Sequence, residues 1–104
     1  MITATKQNFS SLIESGLCVV EMSAPWCQDC RKIEPIMQVL ESKYSQVRFI
    51  SLDFDTNETL KDELAIRRIP TLIFYKDGQE VLERLIEADS MLTIEQMIQA
   101  LLNI

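Results

Sequence analysis

The chain has 104 residues, 47% of them hydrophobic, which is the size and composition of one domain that buries about two-thirds of its unfolded surface. Sixteen acidic and ten basic residues give a formal net charge of -6, which excludes nucleic acid and anionic membranes as expected partners. The chain has no histidine, so Ser-His-Asp and Cys-His catalysis and Cys/His zinc sites are excluded as well.

The cellular compartment expected for the chain bears on the role of its three cysteines. The N-terminal residues contain no apolar segment of the length that a secretory signal needs, and no apolar run approaches the ~18 residues of a membrane span, so we expect a cytoplasmic protein. Stable disulfides are rare in the cytoplasm. A cysteine pair there is therefore expected to be catalytic or metal-binding rather than structural.

The first elements are short. Residues 2–4 are predicted to form a strand, and the apolar spacing from Phe9 to Ile13 predicts a helix, with Thr5 as its N-cap and Gly16 as its stop. These elements lead directly into the most apolar segment of the chain.

That segment, residues 17–22, is short and rich in β-branched residues, as in a strand covered on both faces. From about Cys27 to Leu40, apolar residues at helical spacing predict a helix, in which Pro35 should produce a kink. Residues 47–53 are predicted to form the next strand.

The second half ends in a hairpin and a helix. Thr56 or Asn57 is predicted to cap a helix that extends to Leu64, and residues 71–75 form a predicted strand. After the turn at K-D-G-Q, residues 81–86 return antiparallel.

The closing helix has one apolar face, and Thr93 with Gln96 resembles a capping box at its start. The predicted order is β-α-β-α-β-α-β-β-α, which indicates an α/β domain with a mixed central sheet and helices on both faces. In such sheets chemistry collects at the carboxyl ends of central strands, where Cys27 and Cys30 lie.

A C-x-x-C pair is a weak signal alone, but here a wider resemblance surrounds it. The segment A-P-W-C-Q-D-C resembles the A-x-W-C-G-P-C of thioredoxins, and Pro35 falls where thioredoxins kink the active-site helix. The segment I-R-R-I-P-T-L-I-F-Y-K-D-G-Q-E-V is similar to their I-x-x-I-P-T strand and hairpin. The resemblance spans essentially the whole chain and implies the thioredoxin fold.

Cys27 and Cys30 are predicted to carry out dithiol-disulfide exchange. Three residues across the first turn of a helix bring two sulfurs together, and the positive helix N-terminus favours a thiolate at Cys27, which makes it the attacking residue and Cys30 the resolving one. The alternative is a metal or cluster carrier, which would need a dimer because each chain offers a single pair. Cys18, within the apolar strand, is predicted to be a small buried hydrophobe.

Four further residues receive roles in this interpretation. Glu21 interrupts the buried strand, where an ionised carboxylate is costly, and thioredoxins place a buried aspartate that accepts the proton of the second cysteine at the matching position. The resemblance also implies that Pro70 is a cis proline facing the cysteine pair. Trp26 is expected to flank the exposed sulfur, and Ile69 with Pro70 to form the opposite wall, where an extended substrate segment binds.

The sequence departs from the thioredoxin pattern at the substrate face. Gln28, Arg68 and Glu87 stand where thioredoxins carry glycines, Asp29 replaces the proline of the motif, and Ser51 stands where many thioredoxins have a lysine. We therefore expect a groove that is narrower and more charged, with fewer partners.

The predicted function is reduction of protein disulfides by a monomer that carries no cofactor and receives two electrons from a flavoprotein disulfide reductase. A rival interpretation is a binding module of the same fold with little turnover, docking through Arg67, Arg68 and Glu87. The reduction potential would distinguish a reductase from an oxidant.

Overall fold

The computed structural model describes all 104 residues and contains five strands and four helices in the predicted order. The strands are β1 (Ile2–Thr3), β2 (Leu17–Ser23), β3 (Val47–Asp53), β4 (Thr71–Lys76) and β5 (Gln79–Ile86), and the helices are α1 (Phe9–Ile13), α2 (Gln28–Lys43), α3 (Glu58–Glu63) and α4 (Met91–Leu102). No helix has the length and apolar character needed to cross a membrane.

The strands form one mixed sheet in the order β1-β3-β2-β4-β5. Strands β1, β3 and β2 are parallel, whereas β4 pairs antiparallel with β2 and β5 pairs antiparallel with β4. The strand β2 is therefore central, and its carboxyl end leads straight to the cysteine pair.

Each face of the sheet packs against two helices. One core joins Val19 and Phe49 of the sheet to α2 and α4, and the other joins Cys18 and Val20 to α1 and α3. This division follows from the pleat of β2, since neighbouring residues of a strand point to opposite faces. The predicted burial of Cys18 is confirmed, because this free thiol is fully enclosed in the second core.

The K-D-G-Q turn joins β4 to β5 as expected. Asp77 and Gly78 have φ values of 50° and 84°, the left-handed pair that a tight two-residue hairpin requires and that glycine and aspartate tolerate. The Asp77 carboxylate also accepts the backbone N–H of Gly16 at 2.7 Å. The loop between α1 and β2 is thereby tied to the hairpin.

Two helix caps differ from the sequence prediction. Ser90, not Thr93, caps α4: its Oγ accepts the N–H of Thr93 at 3.2 Å, so the helix begins three residues earlier than the capping box implied. The N-cap of α1 is Asn8, not Thr5, and the Asn8 side chain instead accepts the N–H of Thr5 at 2.7 Å.

Several element ends also differ by one or two residues. Strand β1 ends one residue early, at Thr3, and α3 ends at Glu63, whereas β2 and β4 are each one residue longer than predicted. Strand β5 starts at Gln79, directly after the turn. Helix α2 continues through Pro35.

Candidate active site

The cysteine pair lies where β2 passes into α2. Cys27 is the N-cap of α2 and Cys30 lies in its first turn, and the two form a disulfide with their Cα atoms 5.2 Å apart. The Sγ of Cys27 accepts the backbone N–H of Cys30 at 3.2 Å. An N-cap side chain that accepts helix N–H groups sits at the positive end of the helix dipole, which stabilises a thiolate on Cys27 when the pair is reduced.

The wall opposite the cysteines is the loop before β4. The Ile69–Pro70 peptide bond is cis, as the resemblance implied, and the Ile69 carbonyl oxygen lies 3.9 Å from the Sγ of Cys27. Pro70 is buried, and its carbonyl accepts the N–H of Glu87 at 2.7 Å, which joins the loop to the end of β5. The loop thus lies close to the Cys27 sulfur and is hydrogen-bonded to the end of β5.

Trp26 precedes the pair and is 62% exposed. Its Nε1–H donates to the Asp55 carboxylate at 2.7 Å, and its ring meets Phe54 edge-on at a centroid distance of 6.4 Å. These two contacts hold the exposed indole ring of Trp26 in place beside Cys27. Sequence reasoning predicted the tryptophan but missed Asp55, which becomes its neighbour only through the pairing of β2 with β3.

Glu21 is the buried carboxylate behind the disulfide. It is 3% exposed, and its Oε1 has no hydrogen-bond partner. Burial, and to a lesser extent the negative charge of Glu34, raise the pKa of Glu21 from 4.5 to about 7. Ser51 pairs with Glu21 across the β2–β3 ladder, so the residue at the position of the family lysine is a neutral neighbour.

A cleft of about 420 Å³ is lined by both this carboxylate and Cys30. Glu21, Cys30, Arg31 and Glu34 all line it. Glu34 is a residue that the sequence reasoning missed, although its spacing of four from Cys30 on α2 places both on one helix face and could have revealed it. No group of three or more Cys, Asp or Glu side chains that could hold a metal ion occurs in the structure.

The remaining predicted residues lie around the mouth of the site. Gln28 and Asp29 begin α2 and are exposed, and the Asp29 carboxylate lies 3.7 Å from the Lys32 ammonium. Arg68 and Glu87, which replace glycines of the family pattern, form an ion pair at 3.6 Å. Glu87 takes a φ of 58°, a left-handed conformation usual for the glycine it replaces.

Together these features form a centre for dithiol-disulfide exchange, and comparison with known sequences agrees. The family model for thioredoxin matches residues 1–100. A thioredoxin of Aspergillus fumigatus is 39% identical over 93 residues, which are 89% of this chain and 85% of that protein. A thioredoxin of Chlamydia trachomatis is 32% identical over 77 residues, which are 74% of this chain and 76% of that protein.

Solved structures agree with the sequence comparison. The oxidized form of mitochondrial thioredoxin 3 from Saccharomyces cerevisiae superposes with a TM-score of 0.88 at 26% identity, over 96% of this chain and 94% of that one. Plasmodium falciparum thioredoxin gives a TM-score of 0.89 at 26% identity, over 96% and 98%. The chain belongs to the thioredoxin family and is a thiol-disulfide oxidoreductase that reduces protein disulfides through Cys27 and Cys30.

Proposed function

We propose that Cys27 is the attacking cysteine and Cys30 the resolving one. The Cys27 thiolate attacks one sulfur of a substrate disulfide, which forms a mixed disulfide and releases the first substrate thiolate. Cys30 then loses its proton and attacks the Cys27 sulfur, which releases the second thiolate and leaves the intramolecular disulfide. Two electrons pass to the substrate. The observation that carries this order is the N-cap position of Cys27, whose Sγ accepts the N–H of Cys30.

Glu21 is the proton acceptor for Cys30 in this proposal. Support comes from the cleft that both residues line and from the Oε1 that has no partner of its own. A carboxylate whose pKa is about 7 is well matched to taking a thiol proton near neutral pH, since a general base works best with a pKa near the operating pH.

The substrate segment binds, in this proposal, in an extended form along the backbone at Ile69 and Pro70. Trp26 flanks it on one side, and Gln28 with Asp29 borders it at the start of α2. Arg68 and Glu87 cover the loop where the family pattern has no side chain. Their ion pair must adjust to each substrate, which restricts the range of partners.

The exchange chemistry also requires a source of electrons for the oxidised protein. The oxidised pair must be reduced again by a two-electron donor, for which we propose a flavoprotein disulfide reductase. We further propose that the protein works as a monomer of one domain in the cytoplasm, without a cofactor of its own.

Mixed-disulfide trapping tests the order of attack. Cys30→Ser is expected to accumulate adducts on Cys27, whereas Cys27→Ser should abolish turnover of a disulfide substrate supplied with dithiothreitol. Cys18→Ala is the matched control, because it removes the cysteine that is buried away from the site and should retain turnover. Mass spectra with adducts on Cys30 in the wild-type chain would reverse the order, and substrate binding without turnover would favour the binding module.

A further inference from the structure

A second pocket lies beside the loop that faces the cysteines, and arginines dominate it. It encloses about 190 Å³ and is lined by Ala65, Ile66, Arg67, Arg68, Thr71, Arg84 and Ile86. Three of the ten basic residues of the chain therefore meet at one small pocket, and no acidic residue lines it. In a chain of net charge -6 this is a local concentration of positive side chains, two of which are paired with Glu80 and Glu87 outside the pocket.

The three arginines differ in how far the protein already uses them. Arg84 donates to both oxygens of Glu80, at 2.8 and 3.0 Å, and to the Leu64 carbonyl at 2.6 Å. These bonds hold its side chain in place as one wall of the pocket. Arg68 has only the 3.6 Å ion pair with Glu87, and its side chain is 73% exposed. Arg67 makes no hydrogen bond or ion pair within the protein. The Arg67 guanidinium is thus free for a ligand, and that of Arg68 is held only by its ion pair with Glu87.

The pocket lies within reach of a substrate held at the active site. Arg68 and Thr71 flank Ile69 and Pro70, and the Ile69 carbonyl is 3.9 Å from the Cys27 Sγ. An extended chain advances about 3.3 Å per residue, so a substrate that runs along Ile69 passes the neighbouring Arg68 within a few residues of its reacting cysteine. The apolar part of the wall, including Ile66 and Ile86, can pack against the methylene groups of such a side chain.

We propose that this arginine pocket is a subsite for one carboxylate side chain of the substrate, a glutamate or aspartate two to four residues from the cysteine that Cys27 attacks. The proposal rests on the proposed function of the cysteine pair and specifies its substrate class. Guanidinium forks match carboxylates in geometry and charge. Because the net charge of the chain repels strongly acidic partners, the preference is for a single well-placed carboxylate rather than for acidic proteins in general.

Glu87 competes with the substrate for Arg68 in this proposal. In the free protein it neutralises Arg68 across the 3.6 Å ion pair, and an incoming carboxylate must replace it. Removing the charge of Glu87 should therefore strengthen the acid preference, whereas removing the charge of Arg67 should weaken it. Two substitutions with opposite expected signs make a stringent test.

The experiment uses three disulfide peptides that differ only in carrying Glu, Gln or Lys at the third residue from the reactive cysteine. The measured quantity is the ratio of kcat/KM for the Glu and Gln peptides at low salt. We expect a ratio of about 3–10 in the wild-type chain, a two- to fivefold lower ratio in Arg67→Gln and a higher ratio in Glu87→Gln, with the differences shrinking at high salt. Lys76→Gln is the control, since it removes one positive charge at the far end of β4.

The outcomes for the subsite and for the proposed function can be told apart. Turnover of the Gln peptide by the wild-type chain upholds the proposed function, and a Glu/Gln ratio of one, or an equal loss in Lys76→Gln, overturns the subsite alone. If no peptide is reduced, the proposed function fails, and the subsite is judged by NMR titration with the Glu peptide in which serine replaces cysteine. Amide shifts at residues 65–71 that vanish in Arg67→Gln support the subsite, and their absence in the wild-type chain, or equal shifts in the variant, overturns it.

Discussion

Replacing Glu21 with an uncharged residue should remove the loss of stability that the protein otherwise undergoes as the pH rises from about 4.5 to about 7. The carboxylate is 3% exposed, it lacks a partner for Oε1, and its neighbour on β3 is the neutral Ser51. The buried Oε1 therefore gains no hydrogen bond in place of the water that it loses on folding. Glu21→Leu removes that charge, and Glu21→Gln removes it while keeping nearly the same shape.

The size of the expected stability change follows from the pKa of Glu21. A rise from 4.5 to about 7 means that the charged form is disfavoured in the folded protein by about 3 kcal/mol. Between these two values the folded state holds a proton that the unfolded state releases, so the free energy of unfolding falls as pH rises through this window. Below about pH 4.5 both states are protonated and the cost disappears, and above about pH 7 it is fully present.

The assay is urea unfolding of the oxidised protein at about pH 4 and about pH 8. Relative to Glu21→Leu, the wild-type chain should lose about 3 kcal/mol between the two conditions. Glu14→Gln is the control, because water surrounds this exposed carboxylate in the folded and unfolded states. If the wild-type chain and Glu21→Leu change in parallel between the two pH values, the charge of Glu21 is compensated in the fold and the reasoning is wrong.

Three further predictions concern neighbours of the disulfide. Glu34→Gln should lower the pKa of Glu21 by less than half of its total rise, since burial is the larger cause; an unchanged carboxyl titration in the NMR spectrum would show that Glu34 does not act on it. Asp29→Asn should lower the pKa of the Cys27 thiol by a fraction of a unit and make the reduction potential less negative, because it removes about 0.3–1 kcal/mol of repulsion at the helix N-terminus. Thiolate absorbance measures the pKa, and equilibration with glutathione measures the potential. A more negative potential in the variant would contradict the expected sign. Asp55→Ala should release the Trp26 indole, which time-resolved fluorescence anisotropy detects as faster motion, while Asp62→Ala on α3 should leave the motion unchanged.

The order of elements was predictable because the apolar period changes at every boundary, but the start of α4 was not. Met91 and Leu92 form the first turn with exposures of 36% and 69%, so the apolar face that marks the helix begins only at Ile94. A capping residue chosen from that face falls too late in the chain. Ser90 takes the role because its Oγ reaches the N–H of Thr93, a contact that apolar periodicity does not encode.

The chemistry of the site was more predictable than its surroundings. Cys27 and Cys30 are close in sequence, and the cost of a carboxylate in a buried strand is evident at Glu21 without any structure. The ion pair of Arg68 with Glu87 is different, because it depends on the antiparallel register that sets Thr71 opposite Ile86. The arginine pocket depends on the same register, since Arg84 comes from β5. Contacts between segments that are far apart in the sequence could therefore be identified only from the structure.

Two departures from the thioredoxin pattern act on Glu21 in the same direction. Ser51 supplies no positive charge beside it, where many thioredoxins have a lysine, and Glu34 adds a negative charge in the same cleft. Either change disfavours the carboxylate, so the raised pKa of Glu21 reflects burial reinforced by the negative charge of Glu34. Under the proposal that Glu21 accepts the proton of Cys30, a pKa of about 7 makes the charged, proton-accepting form more abundant as the pH rises through neutrality. On that proposal, resolution of the mixed disulfide by Cys30 depends on pH, and the charged form of Glu21 that accepts the proton is the form that burial makes costly for the folded protein.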